Sequence, residues 1–298
     1  MGLQKLRDFE KKYYLCTINS PQLCILSMEH SKVLYISQEI SPYTADTESA
    51  LTGRTIPQSI QEHGFEVRTF MPKYGCINER RNQLHEVIRL SGMNVVIDDT
   101  DHPLIIKVAT LQPTRMQVYF IDNEDYFHHS PSKELEIISS PEDNDERIMF
   151  FAHGVIETVK KLRWEPAIIH CMGWISALVP LYIKKLYADE PLFSHSKIIY
   201  TINNDKFDGS LDPRFIEKLI MSQFTNDDLD ILGDAPVDFN ALSKLAIKYA
   251  DAVVLTTDNA SDELLEYAKQ NGRPIFSYTG DATADELSDF YKTLVAEQ

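Results

Sequence analysis

Cysteine is scarce, positive charge is in deficit, and long apolar runs are missing. Only Cys16, Cys24, Cys76 and Cys171 occur in 298 residues, widely separated and with no CxxC pair, which excludes a zinc cage or a dense disulfide framework. Cysteines used this sparingly fit a reducing compartment. No run of 18 apolar residues is present, and the first residues lack the continuous apolar segment and small-residue cleavage site of a signal peptide, so a soluble, cytoplasmic protein with no membrane association is expected. Lys and Arg total 29 against 45 Asp and Glu, a formal charge of −16 that repels a phosphate backbone and argues against nucleic-acid partners. Glycine and proline number 11 and 14, far from fibrous or low-complexity levels. Neither GxGxxG, GxxxxGK[ST], HExxH nor GxSxG occurs, which removes the common dinucleotide, nucleotide-triphosphate, zinc-protease and serine-hydrolase readings.

What is present is an ordinary globular composition, 43% hydrophobic and 25% charged, in a chain long enough for one large α/β domain or two smaller ones. Residues 1–27 show neither helical nor strand periodicity and read as a weakly ordered N-terminal extension, with Met28 the expected natural start; a packed surface arm is the alternative. From residue 28 to 298 a single domain is expected. Apolar Val33–Ser37 reads as a first strand, Thr47–His63 as a helix closed by Gly64, and Glu66–Met71 as a second strand. Short strand candidates with hairpin spacing follow at His85–Leu90, Asn94–Ile97, Leu104–Ala109 and Val118–Ile121. Residues 123–142 read as loop with one helical turn, and Asp145–Leu162 as an amphipathic helix burying Phe150, Phe151, Val155 and Val159.

Beyond it, strands at Ala167–His170, Ile198–Ile202, Ala252–Thr256 and Pro274–Tyr278 alternate with helices at Trp174–Tyr187, Pro213–Ser222, Ala241–Ala250, Ser261–Gln270 and Asp285–Ala296. Short apolar strands alternating with longer helices predict an α/β, Rossmann-like domain with a mostly parallel sheet and helices on both faces. Ligands of such a sheet bind beyond the carboxyl ends of its strands, which directs attention to residues 37–48, 170–175, 201–209 and 256–260. The first of these has no glycine for close backbone approach, and Glu39, Asp46 and Glu48 would repel a phosphate.

The string Lys32 to Tyr43, Ile56-Pro57 before Gly64, Glu66-Val67-Arg68 and Met71-Pro72-Lys73-Tyr74-Gly75 resembles the opening of bacterial glycogen and starch synthases. Tyr119 to Asn123, Asp143 to Arg147 with Phe150-Phe151, Ile169-His170 with Gly173-Trp174 and Ala177-Leu178, Thr201 to Asn204 with Gly209, and Tyr249-Ala250-Asp251 continue the resemblance in order, from about Lys32 to about Thr257. It implies the N-terminal half of a GT-B fold, in glycosyltransferase family 5. The implied activity is glucosyl transfer from ADP-glucose or UDP-glucose to an α-glucan, with retention and with no metal or cofactor. The departures are as informative. The family's Lys-Thr-Gly-Gly-Leu donor signature falls on Ala45-Asp46-Thr47-Glu48-Ser49, a degenerate donor loop. Its His-x-His-Asp-Trp-His is His170-Cys171-Met172-Gly173-Trp174-Ile175, and its Thr-Ile-His-Asn is Thr201-Ile202-Asn203-Asn204. Too little chain follows Thr257 for the family's second domain, so a separate chain supplying it is one expected partner.

By this resemblance Asp143 and His170 are the catalytic-cleft candidates, and Asn204 and Trp174 the sugar-binding ones. Each has a plainer reading: Asp143 as a helix N-cap, His170 as a satisfied structural residue, Trp174 as packing between helix and sheet, and Asn203 and Asn204 as turn formers. His63 and the His128-His129 pair have no partners at ligand spacing and read as surface residues, so no metal is expected. Two functions remain: a glucosyltransferase or a subunit of one, and a noncatalytic glucan-binding or regulatory protein on the same half-fold. Physics favours the second, because each donor removed from an electrostatic clamp costs about 2.7–4 kcal/mol of transition-state stabilisation.

Overall fold

The computed structural model describes residues 31–128, 135–139, 141–203, 205–257, 260–278 and 283–296. The expected extension over residues 1–27, Met28, His129 and Asn204 lie outside them. Ten strands form one mixed sheet. They are β1 (Lys32–Ser37), β2 (Glu66–Pro72), β3 (His85–Glu86), β4 (Met93–Ile97), β5 (Thr100–Leu111), β6 (Met116–Asp122), β7 (Ile168–Met172), β8 (Lys197–Ile202), β9 (Ala252–Leu255) and β10 (Ile275–Ser277). The order is β10-β9-β8-β7-β1-β2-β6-β5-β3, with β4 pairing β5. Every pair from β10 across to β6 is parallel, and β3, β4 and β6 meet β5 antiparallel. The mostly parallel α/β architecture read from the sequence is therefore the one observed.

The larger helices are α1 (Glu48–Glu62), α2 (Asn144–Leu162), α3 (Phe215–Met221), α4 (Phe239–Tyr249), α5 (Asp262–Gln270) and α6 (Ala284–Ala296). Strand register shows that they cover both faces. Tyr35 of β1 pairs in register with His170 of β7, and His170 with Ile199 of β8, so all three side chains share a face. On that face Tyr35 and His170 meet Tyr291 of α6. Tyr200, one residue on, points the other way and meets Ser243 of α4.

Three expectations need correction. The segment after β7 is no regular helix: a 3-10 turn at Trp174–Ser176, one α turn at Val179–Leu181 and a π turn at Tyr182–Leu186 follow one another. Pro180 has no N–H to give Ser176, and the break widens into the Tyr187 N–H to Tyr182 carbonyl bond of 3.0 Å. The expected strand to Leu90 shrinks to two residues, because Val87–Leu90 closes a turn with a 2.8 Å bond between its ends. Residues 123–142 contain helical turns at Glu124–Phe127 and Glu136–Ser139 and a 3-10 turn at Pro141–Asp143, more structure than the single turn expected.

Two glycines set the spacing of layers near the sheet's carboxyl edge. A Cβ on Gly53 of α1 would lie 2.2 Å from the Glu39 carbonyl, so only glycine lets α1 press on the loop leaving β1. A Cβ on Gly154 of α2 would meet Leu104 and Ile121 at 3.0 and 3.1 Å, which seats α2 against β5 and β6.

A buried line of hydrogen bonds holds α6 to the sheet. Tyr35 and Tyr291 hydroxyls lie 2.9 Å apart, Tyr291 meets His170 Nδ1 at 2.5 Å, and His170 Nε2 meets Thr201 Oγ1. All four residues are at most 1% exposed. Burial pushes the His170 imidazole down to about 3, so it is neutral at physiological pH. Because the unfolded imidazole takes up a proton near 6.5 and the folded one does not, stability is lost as pH falls from 6.5 towards 3. Tyr291→Phe removes the central hydroxyl and strands a buried ring nitrogen. A loss of about 1–3 kcal/mol in urea unfolding is expected; a variant as stable as the parent would show that the line contributes nothing.

Candidate functional site

The carboxyl edge of the sheet gathers Gln38 and Glu39 after β1, Lys73 after β2, Asn123 after β6, Gly173 and Trp174 after β7, Asn203 and Asp205 after β8 and Thr256 after β9. Strand β1 sits between β2 and β7, where the connections diverge to either side, the position at which open α/β sheets leave a crevice.

The degenerate donor loop forms the start of α1. Thr47 is its N-cap, its Oγ1 accepting from the Ala50 N–H at 3.0 Å and donating to Glu39 Oε2 at 2.9 Å. Ser41 donates to Asp46 at 2.6 Å. Ala45, Asp46 and Glu48 are exposed, and Asp46 and Glu48 place carboxylates at the positive end of the helix where a phosphate would otherwise be drawn. Glu39 itself is only 7% exposed, and burial raises its pKa against the opposing hydrogen bonds of Thr47 and Gln38.

Around Gly173 the backbone is left-handed, at φ +87°, and unusually crowded. A Cβ there would lie 2.6 Å from Gln38 Cβ, 2.8 Å from Asp205 Oδ2 and 3.1 Å from Gln38 Oε1. Asp205 also accepts from the Trp174 N–H at 3.3 Å. Its outer edge reaches the surface, yet its carboxyl is enclosed enough that burial pushes it up to about 8, with Glu39 adding to the rise. Trp174 is buried and its ring packs 4.9 Å from Phe207, within the loop that carries Asp205. Asn203 is buried and committed to Thr256, whose hydroxyl donates to it at 2.6 Å.

The sequence-predicted residues separate. Trp174 and the donor loop belong to one connected cluster through Asp205, Gln38, Glu39 and Thr47. His170 lies beneath it, fully buried and bonded within the α6 face. Asp143 occupies the N-cap position of α2 but makes no cap bond; its carboxylate is drawn to Arg147, 3.3 Å away, which corrects the capping expectation. Arg147 is fully buried and also holds the Tyr126 carbonyl at 2.7 Å and Asn144 Oδ1 at 3.1 Å. His63 and His128, expected at the surface, are half-buried and paired: His63 with Asp285 and His128 with Asp122, each at 2.7 Å. Among the described residues no cluster of three metal-ligating side chains occurs.

Sequence reasoning also missed two charge networks. Lys73 and Lys107 share Glu79 at 3.1 and 2.7 Å, and Lys107 reaches Asp122 at 2.7 Å. Burial works against the Asp122 charge, but His128 and Lys107 outweigh it and hold its pKa below the usual value. At the start of α2, Lys218 of α3 donates to Asp145 at 2.7 Å and to Glu146 at 2.6 Å, and Tyr126 also bonds Glu146 at 2.9 Å. Asp145 and Lys218 are 1% and 5% exposed. Their partnership could not be read from two segments 73 residues apart in sequence. Lys218→Met should cost about 3–5 kcal/mol in urea unfolding, since it leaves two carboxylates without their cation. A loss below about 1 kcal/mol would mean that the pair is solvated.

The family model for the starch synthase catalytic domain matches residues 32–274. Glycogen synthase from Chlorobaculum tepidum is 37% identical over 242 residues, covering 81% of this chain and 49% of that protein. Glycogen synthase from Chlorobaculum parvum is 36% identical over 246 residues, 82% of this chain and 48% of that protein. The chain thus spans about half the length of the curated relatives it matches. Among solved structures, the catalytic domain of starch synthase IV from Arabidopsis thaliana bound to ADP and acarbose superposes with a TM-score of 0.68 at 18% identity. The match covers 86% of this chain and 53% of that one, and shows the shared fold. With a family match across most of its length and relatives above one-third identity, the chain belongs to the starch synthase catalytic domain family, as a glycogen and starch synthase-like protein.

Proposed function

We propose that this domain serves α-glucan metabolism by binding a neutral glucan, and that by itself it transfers no glucose from ADP-glucose or UDP-glucose. The observation that carries this reading is the charge of the β1 edge. Asp46 and Glu48 stand exposed at the α1 N-terminus, and among the described residues no lysine or arginine acts on the buried Glu39 or Asp205 to set a cation beside them. An anionic leaving group needs cations preorganised where charge develops, and this edge offers the opposite sign. Uncharged hydroxyls suffer no such repulsion. Asp143, half-exposed at the start of α2, and Asn204 are the side chains proposed to hold glucan hydroxyls, with Trp174 packed on Phe207 as a supporting residue. His170 acts through packing.

Family membership favours a second reading, in which a separate chain supplies the missing cations and the pair transfers glucose in the cytoplasm. Calorimetry and transfer assays separate the two. ADP-glucose is expected to bind more weakly than about 1 mM, and maltooligosaccharide to bind measurably and to lose about tenfold in affinity in an Asp143→Ala, Asn204→Ala double variant. Micromolar ADP-glucose binding, or glucan elongation by the purified chain, would overturn the noncatalytic reading. Unchanged maltooligosaccharide affinity in the double variant would overturn the assigned residues.

A further inference from the structure

We infer that Gln38, Glu39 and Asp205 form a carboxyl-amide-carboxyl bridge holding one shared proton, and that Asp205 is through it the positioning residue for the loop after β8. Gln38 is 4% exposed and its main chain is satisfied, its N–H bonding the Met172 carbonyl at 3.0 Å and its carbonyl accepting from Tyr74 at 3.1 Å. A side-chain amide has one donating and one accepting end. The donating end faces Glu39, with Nε2 3.4 Å from Oε1. The accepting end, Oε1, is buried without a partner. It faces the space above Gly173 that Asp205 Oδ2 also enters, at 3.1 and 2.8 Å from the point where a Cβ would begin. Turning the amide over exchanges the roles of the two carboxyls but leaves the same deficit, since one carboxyl always meets an oxygen. A proton on that carboxyl supplies the missing donor, and a buried acceptor left without one is costly.

Among the described residues, no cation acts on either carboxyl. Asp205 is faced by Glu39 from the loop after β1, by the Trp174 N–H from the turn after β7 and by Tyr200 of β8. Glu39 is faced by Gln38 and by Thr47 of α1. Burial pushing Asp205 up to about 8 agrees with a carboxyl that keeps its proton at neutral pH. Between the ordinary value of 3.8 and about 8 the folded state then binds more protons than the unfolded one, so the bridge stabilises most at the acidic end and weakens as pH rises through 8. Once the proton leaves, two carboxylates and an amide oxygen oppose one another; the Trp174 N–H by itself favours the ionised Asp205, but burial with the Glu39 charge outweighs it, so the loop from Asp205 through Phe207 to Gly209 is pushed off Trp174. This inference concerns the cleft of the proposed glucan site but stands without any glucan.

The test is carboxyl-carbon NMR of the unliganded protein with hydrogen exchange at the Trp174 amide. One carboxyl is expected to titrate near 8, and Trp174 protection, corrected for intrinsic exchange, to fall as it does. Asp205→Asn supplies the donor covalently, so it should retain protection at neutral pH and abolish its pH dependence; Glu39→Gln should do the same and serves if the first variant fails to fold. Asp205→Ala should lose protection at every pH. Both carboxyls ionised at pH 7, or an Asp205→Asn protein as pH-dependent as the parent, would overturn the bridge. Failure to bind maltooligosaccharide would overturn the glucan reading alone.

Discussion

Strand β1 between β2 and β7 is the constraint on which the cleft depends. Its register with both neighbours, Leu34 against Arg68 on one side and against Ile169 on the other, fixes where Gln38 and Glu39 emerge. From that point α1 is pressed close by Gly53, β7 ends at a left-handed Gly173, and the β8 loop folds over it. A one-residue slip of β1 would reverse the facing of every side chain along it. Tyr35 would leave Tyr291, and Gln38 would leave Asp205. The site is thus a consequence of strand pairing before it is a matter of side-chain chemistry.

Electrostatics divides the edge in two. On the β2 and β6 side, lysines, carboxylates and a histidine alternate in a nearly closed network, so charges there are neutralised within the protein. On the β1 and β8 side, the enclosed carboxyls Glu39 and Asp205 meet neutral donors, the Gln38 amide, the Thr47 hydroxyl and the Trp174 N–H. Buried carboxyls without cations cannot all remain ionised, because desolvation is not offset by an opposite charge. The contrast makes the second half proton-responsive and hostile to anions, while the first is a fixed scaffold.

Much of this was legible in the sequence, because parallel strands buried on both faces advertise themselves as short apolar runs and helices as longer periodic ones. Thr47 as the end of a loop and the beginning of a helix, the acidic donor loop, and the strand ends at Ser37 and Ile202 all followed from such patterns, whereas β7 runs two residues past the expected end at His170. Pro180 carried a signal of irregular helix that the apolar pattern around it masked. Asp143 looked like a cap because local sequence favours one, yet a buried Arg147 one turn on competes for its carboxylate. Asp205 was invisible as a site residue for a different reason. Its environment is made by Gln38 and Gly173, which reach it only through the pairing of β1, β7 and β8.

The hydroxyl of Tyr291 has a consequence for where this domain can be divided. The family match ends at residue 274, before β10 and α6, so a boundary drawn from sequence similarity would treat the remainder as an appendage. Yet α6 carries the side chain that closes the face over Tyr35 and His170, at the centre of the sheet and not at its rim. A fragment cut at that boundary would expose a tyrosine, an imidazole and their apolar surroundings in the two middle strands. The smallest unit able to keep its own centre dry therefore extends past the region that similarity defines.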